Sequence, residues 1–176
     1  HSPRSAVQIG SPITQKMLSD FLEVACRRGW VKCATDDGAG GLSSSIGELA
    51  PLAGGAEIWL EKVPLKYPGL QPWEIFLSES QERMTLVVTE EAAPALTELA
   101  RLYEVEATVI GKFTDTGLLE VSHAGRPVAQ LSLDFLHDGV PRKRLEAEWV
   151  RPAPPEPAVP ERLDHGDVLR RLLASD

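Results

Sequence analysis

"WVKCATDDGAGGLSSSIGELAPL", residues 30–52, is the stretch on which the fold turns. Residues 30–35 are mostly apolar, and their length suits a buried strand. Asp36, Asp37 and Gly38 interrupt the run as a turn does. A helix is expected from about Gly40 to Leu52. Its residues are mostly small, so it can pack tightly. A strand that passes through a turn into a helix is the unit from which layered α/β domains are built.

Helix and strand signals continue on both sides. Before it, Ser11 and Pro12 have the form of an N-cap followed by proline at the first helical position. Ile13, Met17, Phe21 and Val24 recur at helical spacing, and Gly29 stops the helix. After it, "AEIWLEKV" (56–63) alternates as a strand does. "KYPGLQP" is a loop, and "PWEIFLSE" is a short helix or turn. "RMTLVVT" (83–89) is a strand. Residues 90–103 are amphipathic, with Ala93, Leu96, Leu99, Ala100 and Tyr103 on one side. "ATVIGKFT" (107–114) is a strand. "GLLEVSHAGRPVAQLSL" is a hairpin turning at Ala124-Gly125, and residues 132–138 add a helical turn. Residues 1–150 therefore predict one α/β (α+β layered) domain, with a mixed sheet and packed helices. Residues 151–162 are a proline-rich, semi-rigid linker. Residues 163–176 open a further helix with nothing left to pack on. His1 in place of Met, and Asp176 directly after a helical run, lead us to expect a piece of a longer chain.

Composition narrows the function. The chain has 176 residues, enough for a real core, with 43% hydrophobic and 25% charged residues. A net charge of −8 argues against nucleic acid or an anionic membrane as the main partner. No apolar run approaches the ~20 residues of a membrane span. Cys26 and Cys33 are read as reduced core thiols of a cytoplasmic protein. The absence of asparagine and the 14 prolines fit a thermophile, or a GC-rich genome.

Three places could carry chemistry. Asp36 and Asp37 either form an ordinary strand-to-helix turn or present a carboxylate to Mg²⁺, a hard cation that takes oxygen ligands. The glycines beyond them have free amides that could meet an anion. In "LSESQERM" (77–84), Glu79, Ser80 and Gln81 are either a solvated loop or donors and acceptors suited to sugar hydroxyls and phosphate. Gln8, in "AVQIG", is an exposed strand residue or a contact. The histidines have no Ser, Cys or second His at a catalytic spacing. No nucleophile motif, Walker A loop or complete dinucleotide fingerprint is present.

Taken together, "SPRSAVQIGSP", "DDGAGGLSSSIGEL", "PWEIFLSESQERM" and "VIGKFTDTGLLEV" resemble, in the same order, the large ATP-using subunit of phosphoribosylformylglycinamidine synthase. The likeness covers the chain to about Leu136. It implies a C-terminal-type domain of the aminoimidazole ribonucleotide synthetase fold, partly ferredoxin-like. It also implies a reaction. Formylglycinamide ribonucleotide, ATP and glutamine-derived ammonia give formylglycinamidine ribonucleotide, ADP and phosphate, through an activated iminophosphate. The resemblance places substrate contacts at Gln8, Glu79, Ser80 and Gln81 and a magnesium ligand at Asp36, with Asp37 as a turn residue. It places no catalytic residue in this segment, since the general base and most of the ATP site belong to ATP-type domains of the same chain. A glutaminase and a small accessory subunit would be further partners. Ser11 stands where the family usually has Asp, and Asp37 where it is often apolar. The alternatives are a non-catalytic binding or scaffold domain, and a related synthetase such as that for aminoimidazole ribonucleotide.

Overall fold

The computed structural model describes residues 10–153, 157 and 165–175. The chain divides into two compact units, His1–Pro141 and Arg142–Asp176.

The first unit is a mixed α/β domain, as expected. It opens with α1 (Pro12–Arg27), where the Ser11 hydroxyl accepts from the Thr14 amide as the N-cap. Strand β1 (Val31–Asp36) follows, then α2 (Leu42–Ala53) and β2 (Ala56–Trp59). A 3₁₀ turn (Leu60–Lys62) and α3 (Pro72–Phe76) lead to β3 (Met84–Val88) and α4 (Ala93–Leu102). Strands β4 (Gly111–Phe113), β5 (Leu118–His123) and β6 (Arg126–Ser132) and helix α5 (Leu133–Asp138) complete it. The β5–β6 turn has φ of 51° at Ala124 and 72° at Gly125. Positive values at both turn positions match the right-handed twist of the flanking strands.

The strands form two sheets where the sequence suggested one. β1 and β3 make an antiparallel pair, and β4-β2-β5-β6 make a mixed sheet in which β2 and β5 run parallel. Each sheet has its own core. Phe21 and Ala25 of α1 meet Leu96, Leu99 and Ala100 of α4 beside the β1–β3 ribbon. Leu42, Ile46 and Ala50 of α2 pack with Ile58, Leu60, Ile75, Leu119 and Val121 on the larger sheet. Each of the buried leucine, isoleucine, valine and phenylalanine side chains contributes about 1.5–3 kcal/mol by leaving water.

Several local expectations change in the packed domain. β1 is not fully buried. It alternates half-buried and exposed, because a two-stranded ribbon keeps one face partly open to solvent. The strand at 56–63 ends at Trp59, where the chain coils so that Leu60 is fully buried. The strand at 107–114 shrinks to Gly111–Phe113. Ala107 belongs to the smaller core and Ile110 to the larger, so this segment crosses between them and cannot stay in one ladder. Cys26 is exposed and Cys33 only half-buried, and both thiols are free, so neither is a core thiol.

The second unit carries α6 (Gly166–Leu173), on which Leu169, Leu172 and Leu173 are all exposed. Most of residues 151–162, read as a linker, lie outside the described residues. No helix of the described residues is long and apolar enough to cross a membrane.

Candidate functional site

The site forms where the ends of β1 and β3 meet the start of α2. Asp36 closes β1 opposite Met84, the first residue of β3. That register places the two sequence-predicted stretches, the glycine turn and the loop before β3, side by side.

The turn is organised by its own carboxylate. Asp36 is exposed, and its Oδ1 accepts from the Gly38 amide at 2.9 Å. The Gly40 amide then donates to Oε1 of Glu79 at 2.9 Å, joining residues 39 apart in sequence. Gly41 has φ of 57°, and a Cβ there would collide with the Ser78 carbonyl. Only glycine lets the two backbones approach this closely. Gly41 is also the N-cap of α2 and has no side chain to serve as a cap. The start of α2 is closed by backbone instead, with the Ser43 amide donating to the Gly40 carbonyl at 3.2 Å.

The 78–82 loop is held from several directions. The Ser78 and Ser80 hydroxyls lie 3.0 Å apart. Glu82 adopts φ of 49°, and its Oε1 accepts from the Ser11 amide at 3.1 Å. Glu79 and Gln81 are exposed and Ser80 is half-buried. The structure thus brings Asp36, Glu79, Ser80 and Gln81 into one neighbourhood. Gln8 lies outside the described residues. Gly10 and Ser11, which follow it, are packed on Glu82 of the same loop.

Asp37 differs from its expected role as a turn residue. It is 2% exposed, and its Oδ2 lies 2.9 Å from Nε of Arg83. The contact is an ion pair without hydrogen-bond alignment, since neither atom has a hydrogen-bond partner among the described residues. Oδ1 of Asp37 accepts from the Thr85 hydroxyl at 2.7 Å, and that hydroxyl lies 3.0 Å from Oγ of Ser45 in α2. The Asp37 amide donates to the Arg83 carbonyl at 3.1 Å. Nη2 of Arg83 donates to the Ser78 carbonyl. Reading the sequence missed this network. Its one signal is the Arg at the end of an otherwise uncharged and acidic loop.

Among the described residues no group of three or more His, Cys, Asp or Glu side chains is placed to hold a metal. Asp36 still suits Mg²⁺ as a single ligand. It is an exposed carboxylate at a strand end, and its Oδ1 is oriented by the turn, leaving Oδ2 for a hard cation. His137 makes a structural contact, with Nε2 3.1 Å from the Gly47 carbonyl.

Residues 1–124 match the family model described as AIR synthase related protein, C-terminal domain, and the chain belongs to that family. It is 43% identical to a phosphoribosylformylglycinamidine synthase subunit PurL from Methanopyrus kandleri over 98% of its length. It spans only about a quarter (24%) of that relative. Thermotoga maritima PurL complexed with ADP is similar in structure, with a TM-score of 0.76 and 29% identity over 93% of this chain and 28% of that one. T. maritima PurL complexed with FGAR gives a TM-score of 0.71 and 30% identity over 90% of this chain and 26% of that one.

Proposed function

We propose that this chain is one domain of a phosphoribosylformylglycinamidine synthase large subunit, acting in the cytoplasm. In this reading a longer chain uses ATP to convert formylglycinamide ribonucleotide and ammonia to formylglycinamidine ribonucleotide. The observation that carries the reading is the 43% identity to a PurL subunit along almost the whole chain. The meeting of the glycine turn and the 78–82 loop supports it, because those are the stretches that the resemblance assigns to substrate and metal.

The roles follow from the chemistry of each group. Glu79 accepts hydrogen bonds from ribose hydroxyls, and Ser80 and Gln81 offer neutral donors to phosphate or amide oxygens. Gln8 adds a contact from the chain before α1. Asp36 is the residue that would hold Mg²⁺. The ion, when bound, neutralises charge on phosphoryl oxygens. Phosphoryl transfer asks the protein mainly for positioning and oriented donors, which rigid backbone turns supply. ATP, and the base that activates ammonia, would be held by neighbouring ATP-type domains. Exposed Trp73 (64%) and Leu77 (48%), beside the loop, are surface suited to such a neighbour. A glutaminase would supply ammonia, and small accessory subunits of the synthase complex would be further partners.

The test is expression of the full-length enzyme that carries this chain, and of residues 1–176 alone. The full-length enzyme is expected to form formylglycinamidine ribonucleotide with ATP and ammonia, and the isolated segment to form none. Turnover by the segment alone would overturn the division of labour. A full-length protein without turnover would favour a binding or scaffold role. Turnover of a different ribonucleotide would favour a related synthetase.

A further inference from the structure

We propose that Asp37 and Arg83 are a positioning couple that sets how the glycine turn and the 78–82 loop face a shared substrate. For the identity of that substrate the inference rests on the function proposed above. For the geometry it rests on the contacts alone.

Arg83 reaches both loops at once. Its Nε faces Oδ2 of Asp37 at 2.9 Å, its Nη2 binds the Ser78 carbonyl, and its own carbonyl receives the Asp37 amide. The Asp37 side chain is 1% exposed and that of Arg83 22%. Thr85 and Ser45 extend the contact into the first turns of α2. The Ser78 carbonyl held by Arg83 is the same group against which Gly41 closes. One guanidinium therefore fixes the seam across which Gly40 meets Glu79 and beside which Asp36 and Gln81 sit.

A stability role alone does not account for the pair. Burying a carboxylate and a guanidinium costs several kcal/mol per ion before they attract each other, and an apolar pair of similar volume is often as stable or more so. An apolar pair cannot hold a carbonyl. Arg presents a planar fork with donors in fixed directions, so Nη2 can hold the Ser78 carbonyl while the charge of the same group lies against the Asp37 carboxylate.

The test uses the full-length enzyme with Arg83→Met, Arg83→Lys and the double variant Asp37→Leu/Arg83→Met. Arg83→Met is expected to lower the melting temperature, because it strands a buried carboxylate. The double variant is expected to recover the melting temperature but to keep a KM for formylglycinamide ribonucleotide raised roughly tenfold, with kcat changed much less. Arg83→Lys keeps the charge without the fork and is expected to melt near wild type with KM still raised. Hydrogen exchange at the Gly40 amide is expected to quicken in all three. Wild-type KM and wild-type Gly40 protection in either thermally recovered variant would overturn the proposal. If the unmodified enzyme turns over no formylglycinamide ribonucleotide, the proposed function fails. Gly40 exchange then still decides whether the couple sets the seam.

Discussion

The two cores of the first unit are built on different principles. The smaller is a clamp, with α1 and α4 crossing beside the β1–β3 ribbon and only Phe21, Ala25, Leu96, Leu99 and Ala100 fully enclosed. The larger draws on α2, α3, α5 and a four-stranded mixed sheet. Where α2 begins, a polar seam of Asp37, Arg83, Thr85 and Ser45 lies between them. Farther along α2 the boundary is apolar, with Leu49 and Leu52 facing Cys33 and Val87. Apolar contacts alone would leave the two cores free to slide, since they are not directional. Directed hydrogen bonds and an ion pair fix one register instead. The candidate site lies on the exposed rim of that seam, at the ends of β1 and β3 and the start of α2. Each core supplies rigidity, and the boundary supplies the polar groups.

The largest expected effect falls on the rim. In the full-length enzyme Asp36→Asn is expected to abolish turnover, a loss on the order of a thousandfold or more in kcat. The melting temperature should barely move, because the Asn oxygen can still accept from Gly38. If the variant instead melts early and the surviving enzyme keeps its kcat, the turn serves structure alone and the rim carries no metal.

The smaller core comes next. Phe21 is 1% exposed, and Phe21→Ala should cost about 3–5 kcal/mol. The comparison gains if hydrogen exchange shows α1 and α4 opening before the four-stranded sheet. Uniform loss of protection across both sheets would mean that the seam couples the cores into one cooperative unit.

A milder effect is expected at Gln81. Gln81→Ala removes neutral donors and should raise KM for the ribonucleotide by the equivalent of about 1–2 kcal/mol, with kcat and the melting temperature nearly unchanged. A change confined to kcat would place this residue in the chemistry.

The smallest effect belongs to the surface of the larger sheet. Glu57 lies opposite Lys112 across β2 and β4. Its carboxyl is held below the ordinary value of 4.5, first by the hydrogen bond from Lys112 and then by that from Trp59. A depressed folded pKa adds stability above the unfolded value, and this is lost as pH falls through the folded pKa. Glu57→Gln is therefore expected to change little at neutral pH and to flatten the decline in melting temperature below about pH 4.5. The pair is exposed to water and salt, so even that change should shrink at high ionic strength.

The sequence by itself determined what depends on neighbours along the chain. Ser11-Pro12 announced α1, Pro72 opened α3, the spacing of Leu96, Leu99 and Ala100 gave the buried face of α4, and Ala124-Gly125 marked the β5–β6 turn. Caps, turns and periodicity act over a few residues, so a single chain displays them. The two motif loops were also legible as stretches, because polar and glycine-rich runs interrupt apolar ones. Tertiary structure alone decided how these parts combine. The division into two sheets, the short β4 and the exposed Cys26 follow from which element covers which face, and nothing local encodes that. The seam shows this most clearly. Asp37 read as a turn residue beside Asp36, yet at the end of β1 the two carboxylates part, Asp36 exposed and Asp37 buried. One reaches water. The other turns inward to Arg83, and burying it depends on a partner that only the antiparallel pairing of β1 with β3 delivers.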